Sequence, residues 1–102
     1  MSVQRKTMVV KIGSSTLVGE DRQIRRDFIA DLARQAAELR NLGWNLVVVS
    51  SGAIACGAPK LGFAKKPADM PSLQACASVG QCILSAVYDE EFRAASLLTS
   101  LV

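Results

Sequence analysis

The chain has 102 residues, 50% of them apolar, and twelve Lys and Arg against nine Asp and Glu leave a net charge of +3. That is one domain or part of one, able to bury a core, with no dense basic cluster that would argue for nucleic acid. Histidine is absent, which removes the commonest general base and metal ligand and excludes a Ser-His-Asp triad within this chain. The three cysteines, Cys56, Cys76 and Cys82, match no zinc spacing. Cys76 and Cys82 fall in an apolar, helix-like stretch and read as small core residues. No signal peptide and no apolar run long enough to span a bilayer is visible, so a reduced cytoplasmic setting is the default expectation.

Met1 to Lys6 is a polar, basic lead-in, expected to fray. Met8-Val9-Val10-Lys11-Ile12 then reads as a buried strand, rich in β-branched residues. It empties into Gly13-Ser14-Ser15-Thr16, a turn of small residues with free hydroxyls and unhindered backbone N–H groups. A lysine beside such a nest of donors suits polyphosphate, although a lysine at the end of an ordinary strand looks the same. Val18 to Gln23 reads as a loop. From Ile24 to Leu42 the period lengthens: Ile24, Phe28, Leu32, Ala36 and Leu39 form one apolar stripe, with Arg25, Arg26, Asp31, Arg34, Glu38 and Arg40 on the other faces. The arginines are expected on a solvated face. Gly43 supplies a left-handed stop.

Leu46-Val47-Val48-Val49 is a second buried strand. Strand, helix and strand with short connections make a βαβ unit with parallel strands. Ligands in such sheets lie off the carboxyl ends of the strands. The first strand ends in Gly13-Ser14-Ser15 and the second in Ser50-Ser51-Gly52, so both polar turns are expected on the same side. A helix opening at Ser51 or Gly52 and running towards Leu61 would point its first N–H groups at an anion there, unless Ser51 serves only as a cap. Gly57 and Pro59 shorten that helix and Gly62 closes it. Phe63 to Pro71 reads as a loop, and Ser72 to Phe92 as a helix buried through Leu73, Ala77, Ile83, Leu84, Val87 and Tyr88. Gly80 inside it implies close packing. Asp89, Glu90 and Glu91 are expected to face solvent, and Leu97 to Val102 could begin a third strand. There is no Walker-type phosphate loop and no Rossmann glycine motif.

Three blocks carry a resemblance: Val9-Val10-Lys11-Ile12-Gly13-Ser14-Ser15, then Val49 to Gly57, then Ser78-Val79-Gly80-Gln81. In order and spacing they resemble the amino-terminal part of the glutamate 5-kinases, a branch of the amino acid kinase family. The likeness runs from about Thr7 to Phe92. Acetylglutamate kinases and aspartokinases usually carry two glycines where Ser14 follows Gly13 here.

The resemblance implies an α/β fold, a parallel-sheet αβα sandwich of which residues 1–102 are the amino-terminal portion. It implies ATP-dependent phosphorylation of the side-chain carboxylate of L-glutamate, the first step of proline synthesis, with Mg2+ accompanying the nucleotide. Lys11 matches the lysine that neutralises phosphate oxygens; Gly13, Ser14 and Ser15 match the loop against the transferred phosphoryl group; Ser51, with Gly52 and Ala53, matches the glutamate-holding segment. No metal-ligating residue, nucleic acid or membrane partner is implied, and a homo-oligomer is expected. The family's later part supplies most of the nucleotide pocket, and many members add an RNA-binding-like domain; both are expected to lie beyond this chain. Leu73 also stands where relatives often carry lysine. The chain alone is therefore expected to be inactive. The alternative is a non-catalytic α/β module that acts through association with another chain.

Overall fold

The computed structural model describes residues 5–95 and residue 97. Two strands, β1 (Lys6–Ile12) and β2 (Trp44–Ser50), pair in parallel with Lys6 opposite Trp44 and Ile12 opposite Ser50. Among the described residues four helices accompany them: α1 (Ser14–Leu17), α2 (Arg26–Asn41), α3 (Ala53–Lys60) and α4 (Met70–Ala94). Chain order β1–α1–α2–β2–α3–α4 and the parallel pairing match the expected α/β unit. Lys6 belongs to β1 instead of a frayed lead-in; its ammonium lies 5.6 Å from the centre of the Trp44 ring, a cation–π contact across the register. Residues 1–4 of that lead-in lie outside the described residues.

Alternation decides which sheet face is covered. Ile12 is buried, and Val10, Leu46 and Val48 pack on the same core as α2 and the carboxyl-terminal half of α4. Ile29, Ala33 and Ala36 are the buried positions of α2, and Val87 and Phe92 those α4 adds. The buried line of α2 is thus turned by about one residue from the stripe Ile24–Phe28–Leu32–Ala36–Leu39. Ala33 and Ala36 have small side chains that let the helix backbone approach the sheet, whereas Phe28 and Leu32 close the flanks half-buried. Ile24 lies before α2, in an antiparallel bridge with Val18. Val18 to Gln23 is therefore a small hairpin, closed by Gly19 N–H to Gln23 O at 3.0 Å and Arg22 N–H to Gly19 O at 2.9 Å. Gly43 follows α2 with φ +91°, the left-handed stop expected there.

The opposite sheet face carries Val9, Val47 and Val49, which are 60%, 46% and 46% exposed. Among the described residues no helix covers them.

The helices α3 and α4 cross at two glycines. A Cβ at Gly80 would lie 1.6 Å from the Ala53 carbonyl oxygen, and one at Gly57 would lie 1.9 Å from that of Cys76. Only a hydrogen at each position permits so close a crossing. This is the close packing that Gly80 implied, and it turns α4 so that Cys76, Gly80, Leu84, Val87 and Phe92 are buried. Leu73, Ala77, Ile83 and Tyr88, expected in the stripe, are half-buried at its sides. Cys56 and Cys76 are buried thiols, and burial pushes the Cys56 thiol up. Cys82 is exposed, contrary to its expected core position, because it lies on the far side of α4 from Gly80 and Leu84.

Helix α4 starts at Met70, earlier than expected, because Asp69 caps it: its carboxylate accepts the Ser72 N–H at 3.0 Å, with Pro71 in the first turn. At its other end the acidic run is tied down. Arg26 at the start of α2 meets Glu90 at 3.1 Å and Glu91 at 3.6 Å, and Arg93 meets Asp89. Glu90 keeps 67% side-chain exposure, but Glu91 keeps only 22%, so Glu91 does not simply face solvent. The suggested third strand at residues 97–102 lies outside the described residues, apart from Leu97, whose N–H donates to Phe92 O at 2.8 Å.

Candidate functional site

Both strands end at the same edge of the sheet, and the ladder runs one residue past β2. The Ser51 N–H donates to the Ile12 carbonyl at 2.9 Å, which fixes the second turn beside the first. Gly52 then adopts φ +105°, open to glycine and costly for other residues, and becomes the cap of α3. Ser51 is not that cap, and no side chain caps the helix. At Gly52 a Cβ would sit 3.4 Å from both Cα and Cβ of Ser14, so the two polar turns touch.

The first turn winds at once into α1. Gly13 precedes it with φ −77°, so the chain passes from strand to helix there without a left-handed residue. Thr16 N–H and Leu17 N–H both return to the Gly13 carbonyl, and the buried Leu17 side chain anchors the turn to the core. A Cβ at Gly13 would meet nothing within 4 Å. Neither backbone strain nor packing calls for glycine at this position; it leaves the main chain bare beside open space. The first N–H groups of a helix have no intrahelical partner, so α1 and α3 both present donors at this edge.

A cleft of about 590 Å³ opens here. Ser14, Ser15, Gly52 and Ala53 line it, so both expected turns contribute. Ile54, Ala55, Ala58 and Ala77 give it an apolar floor, and Arg22, Lys65 and Lys66 bring three cations. Lys11, Gly13 and Ser51 are not among its lining residues. Lys11 is exposed on the sheet face of Val9 and stands in register with Val49, one residue short of the strand's end. Ser50 faces the other way, where its hydroxyl accepts from Tyr88 Oη at 3.1 Å. That phenol is half-buried and its acidity is weakened, chiefly by burial, with the Ser50 bond opposing.

Sequence patterning did not single out Arg22, Lys65 or Lys66, since each sits in a loop where a lone cation is ordinary. One signal existed for the loop as a whole, its two lysines between Gly62 and Pro71. Among the described residues no group of three His, Cys, Asp or Glu forms a metal site, and no helix is long and apolar enough to cross a membrane.

Comparison with known proteins agrees with the geometry. Residues 6–102 match the model of the amino acid kinase family. The chain is 47% identical over 87 residues to the glutamate 5-kinase of Clostridium tetani, covering 85% of this chain and 33% of that protein. It is 43% identical over 99 residues to the glutamate 5-kinase of Cupriavidus metallidurans, covering 97% of this chain and 27% of the relative. With the Thermus thermophilus protein of the same name it shares 47% over 87 residues, 85% of this chain and 23% of the relative. The chain thus spans between 23% and 33% of the length of these curated relatives. The family model's match over residues 6–102, borne by a chain that folds as a parallel βαβ unit, places this chain in the amino acid kinase family.

Proposed function

We propose that this segment is the amino-terminal portion of a glutamate 5-kinase, which transfers the γ-phosphoryl group of ATP to the side-chain carboxylate of L-glutamate. The observation that carries this is the meeting of the Gly13–Ser15 turn with the Ser51–Ala53 turn, Gly52 against Ser14, over one cleft. Relatives 47% and 43% identical to this chain over 87 and 99 residues bear that enzyme's name. In the reaction a carboxylate oxygen attacks the γ-phosphorus, the bond to the β-γ bridging oxygen breaks, and ADP leaves while an acyl phosphate forms. The attacking carboxylate is already ionised, so a chain without histidine loses nothing.

Each residue has a role suited to its place. Lys11 neutralises charge on the transferring phosphoryl group, and Gly13, Ser14 and Ser15 lie against it with bare backbone and hydroxyls. Ser51, with the N–H groups of Gly52 and Ala53 at the start of α3, holds a carboxylate of the acceptor. Bound with ATP, Mg2+ would offset charge on the nucleotide's phosphates, which Lys11, Gly13, Ser14 and Ser15 would face. The remaining nucleotide contacts come from the later part of the kinase domain, the active form is a homo-oligomer, and the product enters proline synthesis in the cytoplasm.

The test is ADP release coupled to hydroxylamine trapping of the acyl phosphate, run on the complete kinase domain. Trapping should require L-glutamate. Lys11→Ala should lower turnover by about 10²–10³-fold, the usual effect of removing one preorganised charge-stabilising donor. Near wild-type turnover in a folded Lys11→Ala variant would remove Lys11 from the mechanism, and ADP release without any glutamate-dependent hydroxamate would overturn the assigned acceptor.

A further inference from the structure

We propose that Arg22, Lys65 and Lys66 form a basic edge of the cleft that holds the second carboxylate of a dicarboxylate acceptor. This rests on the kinase assignment, in which the first carboxylate is the one held at the Ser51–Ala53 turn.

Three features carry the inference. The cleft lining contains three cations and no carboxylate. Among the described residues Lys65 and Lys66 enter no ion pair, so their charge is not already neutralised. Arg22 is also held in an uncommon way. It has φ +65°, the one positive value outside glycine among the described residues, and its guanidinium donates to the Phe63 carbonyl. That bond joins the hairpin after α1 to the loop after α3, and so brings Arg22 and the two lysines to one cleft. The neighbouring Asp21 carboxylate accepts the Gln23 N–H at 3.1 Å, within its own turn.

The lining has the chemistry of a short diacid with a hydrocarbon stem. Serine hydroxyls and helix-start N–H groups suit one anionic end. Ile54, Ala55, Ala58 and Ala77 suit the methylene stem. The basic edge suits the other end, and its lysines enter from the loop at the carboxyl end of α3, opposite the end capped by Gly52. A monocarboxylate would leave those cations without a partner.

The experiment titrates the complete kinase domain, of which these residues are the amino-terminal portion, with glutarate, which has two carboxylates, with butyrate, which has one, and with ATP, following amide resonances. Glutarate should bind about three- to tenfold more tightly than butyrate, the scale expected of partly exposed ionic contacts. The Lys65→Gln/Lys66→Gln variant should bind glutarate no better than butyrate. Both positions are exposed, and as a check free of mutation, about 0.5 M salt should remove the same preference from the wild-type chain by screening. Equal binding of the two acids by the wild-type chain, no binding of either, or a glutarate preference retained in the variant would each overturn the proposal. So would weakened ATP binding in the variant with glutarate spared, since the cations would then serve the nucleotide. A glutarate preference without any ATP binding would support the basic edge while counting against the kinase assignment.

Discussion

Replacing Gly80 by alanine tests how the α3–α4 crossing holds the site. Helix propensity alone favours the change by about 1 kcal/mol. Packing opposes it. The new Cβ would fall 1.6 Å from the Ala53 carbonyl oxygen, 2.6 Å from its carbon and 2.9 Å from the Gly57 nitrogen. All three are backbone atoms, so no side chain can swing aside. Reaching even a short C···O approach of about 3.3 Å requires the helices to part by about 1.7 Å locally. A gap of about 0.5–1 Å already forfeits a quarter to a half of the dispersion at a contact. The cost therefore sits at the upper end of the overpacking range, about 3 kcal/mol, and the net loss is about 2 kcal/mol. Ala53 also lines the cleft, so its displacement should weaken ligand binding along with stability. The assay is urea unfolding followed by far-UV circular dichroism. Gly13→Ala is the control: φ there is −77° and the Cβ position is open, so stability should stay within about 0.5 kcal/mol of wild type. A Gly80→Ala protein as stable as wild type would refute the tight crossing and show that helix propensity prevails.

Three further expectations concern the site, the start of α4 and the uncovered sheet. In the complete kinase Ser51→Ala should raise KM for glutamate more than KM for ATP, and the reverse pattern would assign the second turn to the nucleotide. The Asp69 carboxyl is held below its ordinary range, first by the Ser72 hydroxyl and then by the Ser72 N–H. A depressed folded-state value means this cap stabilises above the ordinary Asp range and is lost as pH falls through the folded value. Asp69→Ala should therefore lower the melting temperature at neutral pH and flatten its fall on acidification; an unchanged acid limb would exclude the cap as its source. Among the described residues the sheet has two strands, two open edges and a bare valine face, and the radius of gyration is 15.2 Å against about 13 Å for a compact domain of this length. The isolated chain should therefore self-associate or bind a partner in sedimentation and give no glutamate-dependent ADP, whereas a monodisperse, strongly protected and active monomer would contradict both expectations.

Local chemistry made much of this segment legible in the sequence. The runs Met8–Ile12 and Leu46–Val49 read as strands from their β-branched residues, and the helix between them calls for parallel pairing. From that, Gly13–Ser15 and Ser50–Gly52 are placed on the same side of the sheet, and the contact of Gly52 with Ser14 came from the tertiary structure. Gly43 and Gly80 also declared themselves, one by the stop it makes and the other by its cost inside a helix. What tertiary structure alone decided is which side of each helix faces inward and which loops meet. Periodicity defines a stripe only to within a residue, and the choice of Ile29, Ala33 and Ala36 over Ile24, Phe28 and Leu32 was made by how closely alanine lets α2 approach the sheet. Cys82 and Cys76 look alike in sequence, yet the glycine crossing rotates one into the core and the other out. Arg22 and the pair Lys65–Lys66 are more than forty residues apart. Their meeting depends on a left-handed turn and one hydrogen bond to Phe63, and a long-range contact of that kind leaves no periodic trace in a sequence.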